Sequence, residues 1–175
     1  MSNNWFEVVM EDNNTMEQGD IIKEVSVLEP TIELIQGKSK DIGTIEHEKV
    51  IILTQSCDLA NTKTPWIHVS PVVSLSEMQR QFSHLRDNNA LESIRRGNQP
   101  KFHMINECIL ENYESEKAII DFRNVFTLPY SFMKQKAEEQ QGRLRLQSPY
   151  KEHLSQAYAR FFMRVGLPND IPKFE

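Results

Sequence analysis

Lys49-Val50-Ile51-Ile52-Leu53-Thr54 is the stretch on which the fold turns. Its aliphatic and β-branched residues run without polar alternation, so both faces of the segment need apolar cover, as in a strand buried between two layers. Working outward, Trp66 to Val73 alternates and ends beside Pro71, which suits a strand pairing with it. On the other side, Ile21 to Leu28 is rich in β-branched residues, opens after Gly19-Asp20 and stops at Pro30, so another strand is expected. Trp5 to Met10 reads as a short first strand, and Glu11 to Thr15 as the loop after it. Gly37 to Glu48 is polar and reads as an exposed loop.

The period then changes. Leu75, Met78, Phe82 and Leu85 recur at three- and four-residue steps, the mark of an amphipathic helix, with Ser74 placed to cap it. Asp87-Asn88-Asn89 interrupts this helix, and Gly97 ends a second piece containing Leu91 and Ile94. Phe102 to Leu110 and Ala118 to Thr127 read as two further strands joined by a turn at Glu111 to Glu116, with Pro129 closing the second. Arg143 to Leu146 suits a short edge strand. The last helix is expected to begin with Ser148 as N-cap and Pro149 at its first position. Tyr150, Leu154, Ala157, Tyr158, Phe161, Phe162 and Val165 form its apolar face, and Gly166 and Pro168 stop it. The tail beyond carries two apolar anchors, Ile171 and Phe174.

A chain of 175 residues fits one domain and buries roughly 70% of its unfolded surface without needing a disulfide or metal. Its 39% hydrophobic and 26% charged content is that of a globular protein. No apolar run reaches the roughly 18 residues of a membrane span. The start, Met1 to Trp5, lacks the pattern of a signal peptide, and the two cysteines, Cys57 and Cys108, make no disulfide framework. A cytoplasmic location is therefore expected. Residues 1–60 hold 4 Lys/Arg against 12 Asp/Glu, a net −8, while residues 61–175 hold 16 against 13, a net +3. That asymmetry argues against a general nucleic-acid-coating surface, though Arg143, Arg145, Arg160 and Arg164 could form a local basic patch in place of ordinary solvated faces.

Four segments, taken in order, resemble the MazF/PemK toxin family. They are Gly19-Asp20-Ile21-Ile22, Val50-Ile51-Ile52-Leu53-Thr54, Ile67-His68-Val69-Ser70-Pro71-Val72 and Ile119-Ile120-Asp121-Phe122-Arg123-Asn124-Val125. Gly142-Arg143-Leu144-Arg145-Leu146 and the helix containing His153-Leu154 also resemble that family's ending. The resemblance covers about half the chain. It implies an α+β fold: a small SH3-like antiparallel β-barrel with strands within 5–73 and 102–147, a helical insertion at about 74–97 and a C-terminal helix at about 148–166. It also implies a homodimer, RNA as substrate, and a catalytic hydroxyl and arginine at the positions of Thr54 and Arg123. In that family an Arg-Pro pair precedes the apolar strand, and its arginine stabilises phosphate charge. Glu48 and Lys49 stand there instead, and neither offers a guanidinium fork.

Two functional readings follow. One is a protein-interaction module of toxin–antitoxin or antiviral-defence type, with a protein partner and no catalysis; the other is an endoribonuclease. Gln55-Ser56-Cys57-Asp58 follows the most buried strand, a place where small folds put functional loops. Cys57 there is either a nucleophile, with His47, His68 or His103 as base, or a small half-buried residue beside a turn-forming Asp58. His153, Gln156, Arg160 and Arg164 share one side of the last helix, where they either bind a phosphate or acidic partner or are simply solvated. Asp121 and Arg123 suit a structural ion pair. Trp5, Phe6 and Trp66 read as core or dimer contacts. The scattered histidines lack zinc-ligand spacing, and no cofactor is implied.

Overall fold

The computed structural model describes residues 4–10, 15–40, 43–61 and 64–163. Eight antiparallel strands form one sheet: β1 (Phe6–Met10), β2 (Asp20–Glu29), β3 (Thr44–Ile52), β4 (Trp66–Ser74), β5 (Phe102–Ile105), β6 (Ala118–Asp121), β7 (Phe126–Pro129) and β8 (Gly142–Leu146). Their order is β1-β8-β2-β3-β4-β6-β5, with β7 also paired to β4. The helices are α1 (Ile32–Ile35), α2 (Ser56–Ala60), α3 (Leu75–Gln81), α4 (Asn88–Arg95), α5 (Tyr130–Glu138) and α6 (Tyr150–Phe162). The protein is thus α+β, with an antiparallel sheet, a helical segment at the expected insertion and a helix near the C-terminal end.

The hydrogen-bonded ladder stays open, running from β1 to β5, and is not a closed barrel. Side chains join what the ladder does not. Phe6 from β1 and Ile105 from β5 share one core cluster, with Leu154, Tyr158 and Phe161 of α6 packed on it. The period of two along β3 explains why that strand reads as apolar throughout. Ile51 points into this first cluster, while Val50 and Ile52 point into a second one covered by Met133 and Ala137 of α5. A third cluster, Met78, Leu85, Ile94, Phe102 and Ile119, seats the inserted helices on β5 and β6.

Several local expectations hold in detail. Ser74 caps α3, its Oγ accepting from the Glu77 N–H at 3.3 Å. Asp87 caps α4 in the same way through Asn89. Gly97, at φ +72°, closes α4 with a Schellman pair, Gly97 N–H to Ile94 C=O at 2.8 Å and Asn98 N–H to Ser93 C=O at 2.9 Å.

Others are corrected. Thr44 to Glu48 is strand, not loop: it pairs with Val25 to Glu29 in a hairpin arm, residues 44–47 exposed, held by backbone pairing and a Ser26–His47 side-chain contact at 3.4 Å. The segment Ala118 to Thr127 is two strands on one edge of β4, interrupted at residues 122–125 where Phe122 dives into the core. Of Phe102 to Leu110 only Phe102–Ile105 is strand, followed by an isolated bridge from Cys108 to Ser115. Strand β8 is not an edge but lies between β1 and β2. Helix α6 begins one residue later than expected, and the Ser148 hydroxyl donates to Glu152 Oε1 at 2.7 Å instead of capping the backbone. Residues 11–14, Arg164, Val165, Gly166 and Pro168, and the tail with Ile171 and Phe174, lie outside the described residues.

Candidate functional site

Asp20 and the two arginines of β8 show what the family-like motifs do here. Asp20 is fully buried and accepts from Arg143 Nε at 2.9 Å, from Arg145 through Nε and, at 3.0 Å, Nη2, and from the Glu17 N–H at 3.1 Å. The Thr15 carbonyl accepts from both guanidiniums at 2.7 Å. Glu17 links Arg145 to Lys151 of α6 at 2.7 and 2.8 Å. Burial alone would raise the Glu17 pKa, but the Lys151 hydrogen bond and the charges of Arg145, Lys151 and Arg143 outweigh it, so it lies below the usual value. Arg143, a candidate binding residue, is therefore 3% exposed and held inside the fold. Arg143 and Arg145 form neither the possible basic patch nor the solvated face weighed against it, because β8 is sandwiched and their charges meet Asp20 rather than water.

The loop after β3 builds the largest functional candidate. Leu53 turns into the core, its N–H donating to His68 C=O at 2.9 Å and its C=O accepting from Gln18 Nε2 at 2.7 Å. Thr54 Oγ1 then accepts the His68 N–H at 2.8 Å, continuing in side-chain form the ladder that β3 has left; the hydroxyl proton is not used in that bond. Ser56 Oγ accepts from the Gln18 N–H at 3.1 Å, a structural task. Thr54, Gln55 and Asp58 line a cleft of about 450 Å³ whose other walls are Trp66 and His68 of β4 and Ser155, Tyr158 and Phe162 of α6. Trp66 and Phe162 remain 52% and 63% exposed. Cys57 is exposed beside this cleft, its Sγ 3.7 Å from Gln55 Oε1 and 3.8 Å from Asp58 Oδ1, with no histidine among those sulfur contacts.

Arg123 projects from the break between β6 and β7. Asp121 Oδ1 accepts its N–H at 3.0 Å, the carboxylate grips its guanidinium at 2.6–3.2 Å, and the guanidinium carbon sits 5.3 Å from the centre of the Phe102 ring. The expected ion pair is formed. Arg123 is not among the residues lining the Thr54 cleft. Lys49 lines yet another cleft, of about 220 Å³, with Lys23 and Tyr113. Burial, followed by the charge of Lys23, lowers its pKa. Glu48 beside it is raised by burial and by Glu46 and Glu29.

His153 and Arg160 meet on the opposite flank of α6. With Gln156 they line a cleft of about 220 Å³ completed by Trp5, by Arg95, Arg96 and Gly97 at the end of α4, and by His103 of β5. The helical spacing of His153, Gln156 and Arg160 pointed to a shared face; the facing arginines of α4 came without a signal. For the first cleft a signal did exist. Trp66 and His68 alternate with buried Ile67 and Val69, so both had to face outward.

Fold and clefts together define an α+β domain whose last helix separates an aromatic cleft from a basic one. Compared with known proteins, the chain matches no family model and no curated protein. Among the described residues no group of three or more His, Cys, Asp or Glu could hold a metal ion, and no helix is long and apolar enough to cross a membrane.

Proposed function

We propose that this protein is an interaction module working without catalysis, which takes a protein partner on the cleft formed by Thr54, Gln55, Asp58, Trp66, Tyr158 and Phe162. The toxin–antitoxin or antiviral setting of that role rests on the family resemblance. The observation that carries the reading is the dispersal of the groups a ribonuclease would need. Thr54 lies in one cleft, Lys49 in another, and Arg123 is held by Asp121 outside the Thr54 cleft. A scissile phosphate bound at Thr54 would therefore lack the converging cations that stabilise its transition state. Support for binding comes from Trp66 and Phe162, two large aromatic side chains left in solvent beside amide and carboxylate groups, the mixture enriched where partners anchor.

The test compares wild type with a Trp66→Ala/Phe162→Ala double variant. Both are immobilised against lysate from the native cell, and both are incubated with total RNA. A polypeptide retained by wild type and lost by the folded variant, with RNA intact in both, is the expected result. RNA cleavage by wild type that disappears in Thr54→Ala would overturn the reading in favour of an endoribonuclease.

A further inference from the structure

The cleft on the far side of α6 combines three features that the interaction reading leaves unexplained. First, three arginines line it, Arg95 and Arg96 at the end of α4 and Arg160 on α6. Glu92 engages both Arg95 and Arg96 at 2.6 Å, so one carboxylate answers two of these charges. Arg160 has no acidic partner among the described residues. Second, His103 lines the same cleft, and its Nε2 is sealed from water with no hydrogen-bond partner. A buried polar atom left unsatisfied costs free energy, and native folds keep few of them without a use. Third, the space is small. At about 220 Å³ it lies below the range of roughly 300–1,000 Å³ typical of organic-ligand pockets, which suits an ion or the charged end of a compact molecule.

We propose that this cleft is a binding site for a phosphate group, with Arg160 as the uncommitted cation, Arg95 and Arg96 as flanking donors and His103 Nε2 as the buried donor. The inference does not depend on the partner cleft, since the two are lined by different sides of α6. Guanidinium donors match phosphate oxygens in geometry as well as charge. Because Nε2 is sealed in this structure, side chains lining the cleft must move aside for the anion to reach it.

The carboxyl end of α4 faces the same cleft, and a helix C-terminus on its own repels anions. Here the Schellman bonds of Gly97 and Asn98 occupy the carbonyls of Ile94 and Ser93, and Arg95 and Arg96 add two positive charges against the one of Glu92. Arg160 Nη1 packs beside Gly97, 3.6 Å from the place a β-carbon would take. Burial, and after it the nearby His153, pushes the His103 pKa down to about 4, so the ring is neutral at pH 7 and donates through one nitrogen only. The groups facing it are His153 and Arg160 from α6 and Arg95 and Arg96, with Glu92, from α4, while the Phe122 ring lies against it at 6.2 Å. An anion among these groups stabilises the protonated ring. His153 and Arg160 are separated by about 10 Å along the helix, more than one phosphate spans, which leaves space for an attached organic group.

The experiment titrates the full chain with inorganic phosphate at constant ionic strength while following histidine ring signals by NMR and heat by calorimetry. Expected are a saturable shift of the His103 ring signal, a rise in its pKa, and at least a tenfold loss of affinity in Arg160→Ala that Arg160→Lys partly restores. His103→Gln, with folding checked by thermal melt, should also lose affinity. Titration with adenosine monophosphate then separates two sources of the group: tighter binding than phosphate assigns an organic phosphomonoester, and equal or weaker binding assigns free phosphate. A His103 signal indifferent to both, or an affinity unchanged in Arg160→Ala, overturns the proposal.

Discussion

Replacing Asp20 by Asn removes the one carboxylate that two buried guanidiniums share. Asn keeps the shape and one carbonyl oxygen but turns an amide N–H₂ towards donors that have nothing to give it. Arg145 would be left with the Thr15 carbonyl and the half-exposed Glu17, and Arg143 would lose the carboxylate on its Nε, while both stay almost wholly out of water. Breaking a buried pair from one side costs about 3–5 kcal/mol, because a charge remains where solvent cannot reach it. Against a total stability of about 5–15 kcal/mol for a domain, that is a large fraction. With a urea slope of roughly 2 kcal/mol/M, the midpoint of equilibrium unfolding should fall by about 2 M with the slope unchanged. Arg123→Ala is the internal comparison: Arg123 is half exposed and its buried partner Asp121 keeps the backbone N–H of residue 123, so its loss should cost less than that of Asp20. An Asp20→Asn protein within about 1 kcal/mol of wild type would refute the claim that unpaired buried charge governs this corner of the fold.

Glu17, whose folded pKa lies below the ordinary 4.5, contributes stability that is fully present above that value and is lost as pH falls through the lower folded one; urea midpoints measured down the acid range should flatten in Glu17→Gln. Leu154→Ala opens a cavity where α6 meets the first core cluster, and thermal or urea unfolding should register a loss of about 2–5 kcal/mol. Ser74→Ala removes the cap of α3 and should cost about 1 kcal/mol by the same measurement, with Ser74→Gly costing less. A thiol-reactive probe should label exposed Cys57 no faster than free cysteine, since its sulfur contacts are an amide and a carboxylate, not a base; faster labelling would restore the nucleophile reading.

The parts of this fold legible in the sequence are those whose burial is one-dimensional. Val50 to Ile52 announces a strand covered twice, and the inserted helices show their period, the cap at Ser74, the break at Asp87 to Asn89 and the stop at Gly97. Thr44 to Glu48 was illegible because its partner strand, not a core, holds it extended. Helix α5 buries only Met133 and Ala137, too few to stand out from a polar sequence. Strand β8 misleads most. Two arginines on five residues suggest a wet edge, and Asp20, 123 residues before Arg143, with the Thr15 carbonyl and Glu17, makes an interior position tolerable. The candidate site follows the same division. Thr54, Gln55 and Asp58 are readable as a loop leaving a buried strand, whereas the walls that complete their cleft come from β4 and from the far end of the chain. Ser56 and Cys57 sit within the same short helix yet do not line the cleft.

The central place of β8 also governs when the molecule can become itself. A ribosome releases β1 and β2 well before β8, and neither can complete its pairing until that much later strand slides between them. Until then Asp20 has no guanidinium to meet, the facing edges of β1 and β2 carry unpaired amides, and Phe6 and Ile21 lack the Leu144 and Leu146 that share their cluster. Long-range closure of this kind is slow, and open strand edges are adhesive while it lasts. The vulnerable interval in folding is therefore the wait for β8.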